Sequence, residues 1–157
     1  MEGNLFVAFM RIADEFGGEV EQLMKSAGLT AAQYNILRIL RGAGRAGLAC
    51  REIGERMISR DPDITRLLDR MEKQELITRE RQSDDRRVVK AYATAQGLEI
   101  LKKLDQPVRE MHKRQFKGMP AAQLKTLAAI LQNLQSSDPR HSGSRMRIKA
   151  KSKGELG

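Results

Sequence analysis

The chain contains no tryptophan and only six aromatic residues among 157. A core without large rings must be filled by Leu, Ile, Val, Met and Ala, which favours packed helices over a β-sandwich. One cysteine, Cys50, excludes an intramolecular disulfide. No stretch joins a basic start, an apolar core and a cleavage site, so a cytoplasmic protein is expected. No apolar run approaches the roughly 18 residues that a membrane span needs, so no membrane partner is expected. There is no glycine-rich phosphate loop, no nucleophile elbow and no histidine near a Ser or Cys partner by motif, which argues against an enzyme. His112 and His141 stand far apart, and no Cys, His or carboxylate cluster has ligand spacing, so neither a metal nor another cofactor is expected.

What the sequence does have is positive charge, a formal net +9. Its location matters more than its size. Residues 1–50 are balanced, residues 51–90 carry eleven basic against ten acidic groups, and the excess lies in 91–137 and in the terminal 138–157, at +4 each. An acidic partner such as nucleic acid fits this balance, but the charge alone does not locate a site.

Helical spacing dominates the chain. Phe6, Phe9, Met10, Ala13, Phe16, Val20 and Leu23 recur at threes and fours, giving an amphipathic helix over 4–25 that Gly17 and Gly18 weaken in the middle. Thr30 and Gln33 form a capping box for a second helix carrying Ile36, Leu37 and Leu40, with Leu29 stapling to Tyr34. That helix stops at Gly42, Gly44 and Gly47. Arg51–Met57 makes a short helix, and Asp61-Pro62 supplies a cap and first-turn proline for the next, with Ile64, Leu67, Leu68 and Met71 on its buried face. Ile77–Arg81 and Val88–Ala93 alternate as strands around the charged tip Gln82–Arg87. Thr94 caps a long helix through Leu98, Leu101, Leu104, Val108, Met111 and Gln115, loosened at Pro107. Gly118 and Pro120 separate it from a last helix striped by Leu124, Leu127, Leu131 and Leu134. Beyond Asp138-Pro139, six Arg and Lys stand among Ser and Gly with little to bury, which predicts a flexible basic tail over 138–157.

Helix, tight connection, helix and hairpin is the order of a winged helix-turn-helix, whose second helix lies in the major groove of DNA while the hairpin tip reaches a neighbouring groove. Residues 61–75 would be the recognition helix. Its first turn offers N–H groups to phosphate, Arg66 and Arg70 share a face, and Thr65 suits a thymine methyl or a phosphate. Arg60 is taken as a further DNA-binding residue. Arg86 and Arg87 on the wing tip suit a narrow minor groove, with Asp85 supporting an arginine by a bidentate pair.

The stretch Asp61-Pro62-Asp63-Ile64-Thr65-Arg66-Leu67-Leu68-Asp69-Arg70-Met71-Glu72, with Leu76-Ile77, Asp85-Arg86-Arg87-Val88-Val89 and Thr94-Ala95-Gln96-Gly97, strongly resembles the MarR family of regulators over about residues 4–136. The resemblance implies a homodimer on palindromic double-stranded DNA, with Arg87 entering the minor groove. Glu75 replaces a common helix-ending Gly, Ala93 a Leu, and Ala49 a frequent Ser or Thr cap. The fold expected is thus mainly α with a small β-hairpin wing. A single domain over 1–137 holds the DNA-binding lobe (30–94) and dimerisation helices (4–25 and 95–136) from both chain ends. Apolar stripes at both ends agree, since pairing them about a two-fold axis buries both.

The expected function is a sequence-specific transcription repressor, with a winged-helix protein-contact module as the alternative. The resemblance also allows a small-molecule effector, for which Phe16, Tyr34 and Met57 are the candidate pocket residues, each of which also suits core packing. Cys50 beside Arg51 near a helix start has the setting of a reactive thiol, though an incidental thiol is the simpler reading.

Overall fold

A computed structural model of the protein describes residues 1–59, 63–82 and 87–136. Arg60, Asp61, Pro62, Asp85, Arg86 and the 138–157 tail lie outside the described residues. The elements are α1 (Glu2–Ser26), α2 (Ala31–Ala43), β1 (Leu48–Ala49), α3 (Cys50–Arg56), α4 (Ile64–Lys73), β2 (Ile77–Arg81), β3 (Val89–Ala93), α5 (Ala95–Gln115) and α6 (Ala121–Ser136). They group into two compact units, Met1–Lys117 and Gly118–Gly157. The mainly helical fold with a small wing is the one the sequence called for.

Local chemistry explains the helix starts. Gln33 donates its N–H to Thr30 Oγ1 at 3.2 Å while its own Oε1 accepts the Thr30 N–H at 3.0 Å, so the expected capping box opens α2. At α3 the N-cap Ala49 has no oxygen to offer; Glu52 supplies the returning half alone, accepting the Ala49 N–H at 2.9 Å. α1 runs unbroken through Gly17 and Gly18, and α5 through Pro107.

Two boundaries differ from the sequence reading. α4 begins at Ile64 after an N-cap at Asp63, not at Asp61-Pro62, and the Asp63 carboxylate pairs with Arg66 at 3.2 Å instead of capping the helix. The wing is also more than a hairpin. β1 joins it through Leu48↔Ala91 and Ala49↔Lys90, giving a three-stranded antiparallel sheet in the order β1-β3-β2. Two residues are too short to show alternation. What admits β1 is Gly47, at φ +58°, whose missing side chain leaves room for the Tyr92 ring.

The core of the first unit gathers side chains of α2, α3, α4 and α5. Ile36, Leu37, Ile53, Met71 and Leu101 are wholly buried, each contributing on the order of 1.5–3 kcal/mol in apolar transfer. Arg41 adds a bidentate pair to Asp105 across α2 and α5, both contacts at 2.9 Å.

The end of α4 and the start of α5 share one junction. Leu76 N–H reaches Met71 O and Glu75 N–H reaches Glu72 O, both at 2.9 Å, closing α4 with a Schellman motif. Such a motif needs a left-handed residue, and that residue is Glu75, at φ +57°. Thr94 Oγ1 donates to the carbonyls of Glu75 (2.7 Å) and Leu76 (3.1 Å) and accepts the Gly97 N–H at 3.0 Å. Gly97 is pressed so close that a Cβ would lie 2.5 Å from Leu76 O and 2.9 Å from Leu37.

Glu75→Gly should raise stability by about 1 kcal/mol, because relief of left-handed strain exceeds the added freedom of the unfolded chain. Gly97→Ala should lower it by about 2 kcal/mol or more, since the obstruction is backbone that cannot step aside. Urea unfolding of both variants checks the opposite signs. The Arg41 guanidinium holds the Asp105 carboxyl below the ordinary 3.8. The pair's stabilisation is therefore complete above that value and lost as pH falls through the lowered one. Both partners are well exposed, which limits it to about 0.5 kcal/mol. Asp105→Asn should lower the melting temperature slightly at neutral pH, and the difference should vanish in strong acid.

Candidate nucleic-acid interface

α4 divides cleanly by period. Leu67, Leu68 and Met71 face inward, while Thr65, Arg66 and Arg70 are exposed. One helix thus anchors itself with one side and offers hydrogen-bonding groups on the rest. Arg66 lies four residues from Arg70 on the same side and is 82% exposed, paired with Asp63 at 3.2 Å. Thr65 Oγ1 lies 3.9 Å from Cys50 Sγ, which places the single thiol at the contact between α3 and α4. Arg70 also borders a groove of about 440 Å³ whose wall includes Lys25, Thr30, Gln33 and Gln74. In that wall Gln33 Nε2 donates to Gln74 Oε1 at 2.7 Å, and Gln96 Nε2 reaches Gln74 O at 3.3 Å, so α2 and α5 both hold the end of α4.

On the wing, Arg87 is exposed just before β3. Arg60, Asp85 and Arg86, expected at the interface from sequence, fall outside the described residues.

Arg79 is a residue that the sequence reading passed over. It projects from β2 onto two acids one helical turn apart on α4. Its Nη2 lies 2.6 Å from both Asp69 Oδ1 and Glu72 Oε2, and its Nε donates to Glu72 Oε2 at 2.9 Å. Glu72 Oε1 also accepts the Arg79 backbone N–H at 3.1 Å, covering a donor on the outer edge of the sheet. The hydrogen bond that Arg79 donates to Glu72, with help from Asp69, raises the Arg79 pKa above its already high ordinary value. The signal was available: Arg79 shares a strand face with buried Ile77, and a cation on that face requires partners.

A second feature lies beneath the lobe, a cavity of about 930 Å³ bounded by α1, α2, α5 and the segment after α3. This is the size of an ordinary small-molecule site. Tyr34 and Met57 are on its wall, with Arg38, Asn35, Val108 and His112. Phe16 is not among its lining residues. It packs edge-on against Phe116, 5.4 Å between ring centres, and its carbonyl accepts from Gln115 at 3.5 Å. Burial pushes the Tyr34 phenol up, while the charges of Arg38 and Arg41 oppose the shift. Arg38 sits 5.8 Å from the Tyr34 ring centre, within cation–π range.

Among the described residues no helix is long and apolar enough to cross a membrane, and no cluster of His, Cys, Asp and Glu could hold a metal ion. The MarR family model matches residues 29–89, which run from the loop before α2 to the start of β3. Among curated proteins, the HTH-type transcriptional repressor IacR of Pseudomonas putida is 27% identical over 127 residues, 81% of this chain and 75% of that protein. A mutant MarR from E. coli, solved in complex with operator DNA, has the same fold at 23% identity and a TM-score of 0.75, over 83% of this chain and 93% of its own. A MarR transcription factor from Planctomyces limnophilus is 34% identical, spanning 85% of this chain and 96% of its own with a TM-score of 0.65. With that identity over nearly the whole of a relative, and with the winged helix in place, the chain belongs to the MarR family of transcription regulators.

Proposed function

We propose that this protein is a sequence-specific DNA-binding repressor that acts as a homodimer on a pseudo-palindromic operator. The observation that carries the reading is α4 itself, a helix fixed by three buried apolar residues that leaves Thr65, Arg66 and Arg70 facing outward beside a wing. In this reading α4 enters the major groove, where arginine pairs with guanine O6 and N7 and threonine meets a thymine methyl or a phosphate. Arg87 and Arg86 reach the adjacent minor groove with Asp85 holding the tip, and Arg60 contacts the backbone before α4. A repressor among the relatives and a relative solved on its operator support this assignment.

The dimer reading rests on apolar side chains left in the open. On α1, Leu5 and Phe6 are largely exposed, with Phe9 and Met10 half so; in the second unit, α6 exposes Ile130 and Leu134. Pairing residues 4–25 and 95–136 with those of a second copy removes this surface from water and sets two DNA lobes, residues 30–94, on one two-fold axis. The chain then works as one dimerising domain over 1–137, with the basic tail adding weak, sequence-independent attraction to DNA. A small molecule seated in the cavity beside Tyr34 and Met57 would release the operator by shifting the spacing of the lobes.

Selection from a pool of random duplexes tests the reading. An enriched inverted repeat, with half-sites about one turn or roughly 34 Å apart, is the expected product. Binding that is salt-sensitive but unenriched would reduce the protein to a non-specific binder, and no binding would favour a protein-contact module. On the selected duplex, Arg87→Ala should cost about 1–3 kcal/mol in affinity. Undiminished affinity on titration would remove the wing from the interface.

A further inference from the structure

We propose that Arg79 is a positioning residue for DNA recognition: by gripping Asp69 and Glu72 together it fixes the wing against α4, and it does so without touching DNA. The inference rests on the DNA-binding reading and extends it to residues that face away from the groove.

The geometry leaves Arg79 little capacity for anything else. One Nη2 is shared between two carboxylates at 2.6 Å, Nε is engaged at 2.9 Å, and the side chain is 27% exposed. A phosphate approaching this guanidinium would meet two acids first. The contacts also tie the two reading elements together. Asp69 and Glu72 lie on α4 between and beyond the outward Arg66 and Arg70, while Arg79 lies on β2, paired through Ala91 to the strand that follows the wing tip. A hairpin of this size has little stability of its own, so its angle is set by what it leans on. Moving the wing by a fraction of its width would take Arg87 out of register with a groove that α4 still occupies.

The sign of one substitution separates this role from direct contact. Asp69→Asn removes a negative charge from the recognition helix; if Asp69 were a bystander, affinity for any duplex would hold or rise. Under the clamp it should fall about tenfold for the pool-selected duplex and less than about twofold for a random duplex of equal length, with the salt slope of the random duplex unchanged. Arg79→Gln should show the same split, the double variant should be no worse than the weaker single, and Arg79→Lys should recover part of the loss. Tighter or unchanged binding by Asp69→Asn would overturn the proposal. So would equal losses on both duplexes accompanied by a lower melting temperature, which would mark a purely structural pair. If Arg79→Gln fails to fold, Asp69→Asn and Arg79→Lys decide the matter alone. A wild-type protein that selects no duplex would instead overturn the DNA-binding reading.

Discussion

The hydroxyl of Thr94 sits where the end of α4, the end of β3 and the first turn of α5 converge, and it serves all three with one oxygen. It accepts from Gly97 and donates toward Glu75 and Leu76, while the Thr94 N–H also reaches Leu76 O at 3.1 Å. The exit from α4 is fixed at this point, because the closing turn of this ten-residue helix satisfies its own last carbonyls and the two carbonyls that follow, those of Glu75 and Leu76, are taken by Thr94. Gly97 lets α5 approach close enough for the bonds to form, and Glu75 accepts a left-handed backbone so that the chain can turn into β2. Gln74, held from Gln33 and Gln96, binds the same junction from the other side.

Charge in the reading segment makes sense once pairing is considered. Residues 51–90 are almost neutral, which counts against a basic patch, yet four of their ten acids hold arginines in place. Glu55 takes Arg51, Asp63 takes Arg66, and Asp69 with Glu72 takes Arg79. Exposed pairs of this kind add little stability, but each restricts a long side chain before a partner arrives, which lowers the ordering cost of association. Of these described pairs, the Arg79 group is the most sheltered and the one fit to act as a structural tie. The excess positive charge of the sequence lies instead in residues 91–157.

Much of this fold was legible because its signals are local. The Thr30–Gln33 box, the Thr94 cap, the inward face of α4 and the two longer strands rest on spacings of two, three or four residues, and each is found where the spacing put it. The outward placement of Thr65, Arg66 and Arg70 follows from the same period. What was hidden depends on tertiary approach. Phe16 meets Phe116 a hundred residues later, and β1 exists only because Gly47 admits Tyr92. The start of α4 was misplaced because Asp61-Pro62 has the sequence form of a cap and first-turn proline, whereas the helix opens at Ile64 with no side-chain cap from Asp63. Arg79 shares a strand face with buried Ile77, which calls for partners, but that these are Asp69 and Glu72 on a neighbouring helix is set by tertiary approach.

The central claim is that α4 reads a major groove while the wing enters the minor groove beside it, twice per operator. Methylation interference tests it most directly, because dimethyl sulfate marks guanine N7 in the major groove and adenine N3 in the minor groove on one duplex. The account predicts two patches of guanine interference about one helical turn apart, each flanked by adenine interference on its outer side, with the adenine signal lost in Arg87→Ala. Interference confined to one groove, or a single patch with no symmetry mate, would contradict it.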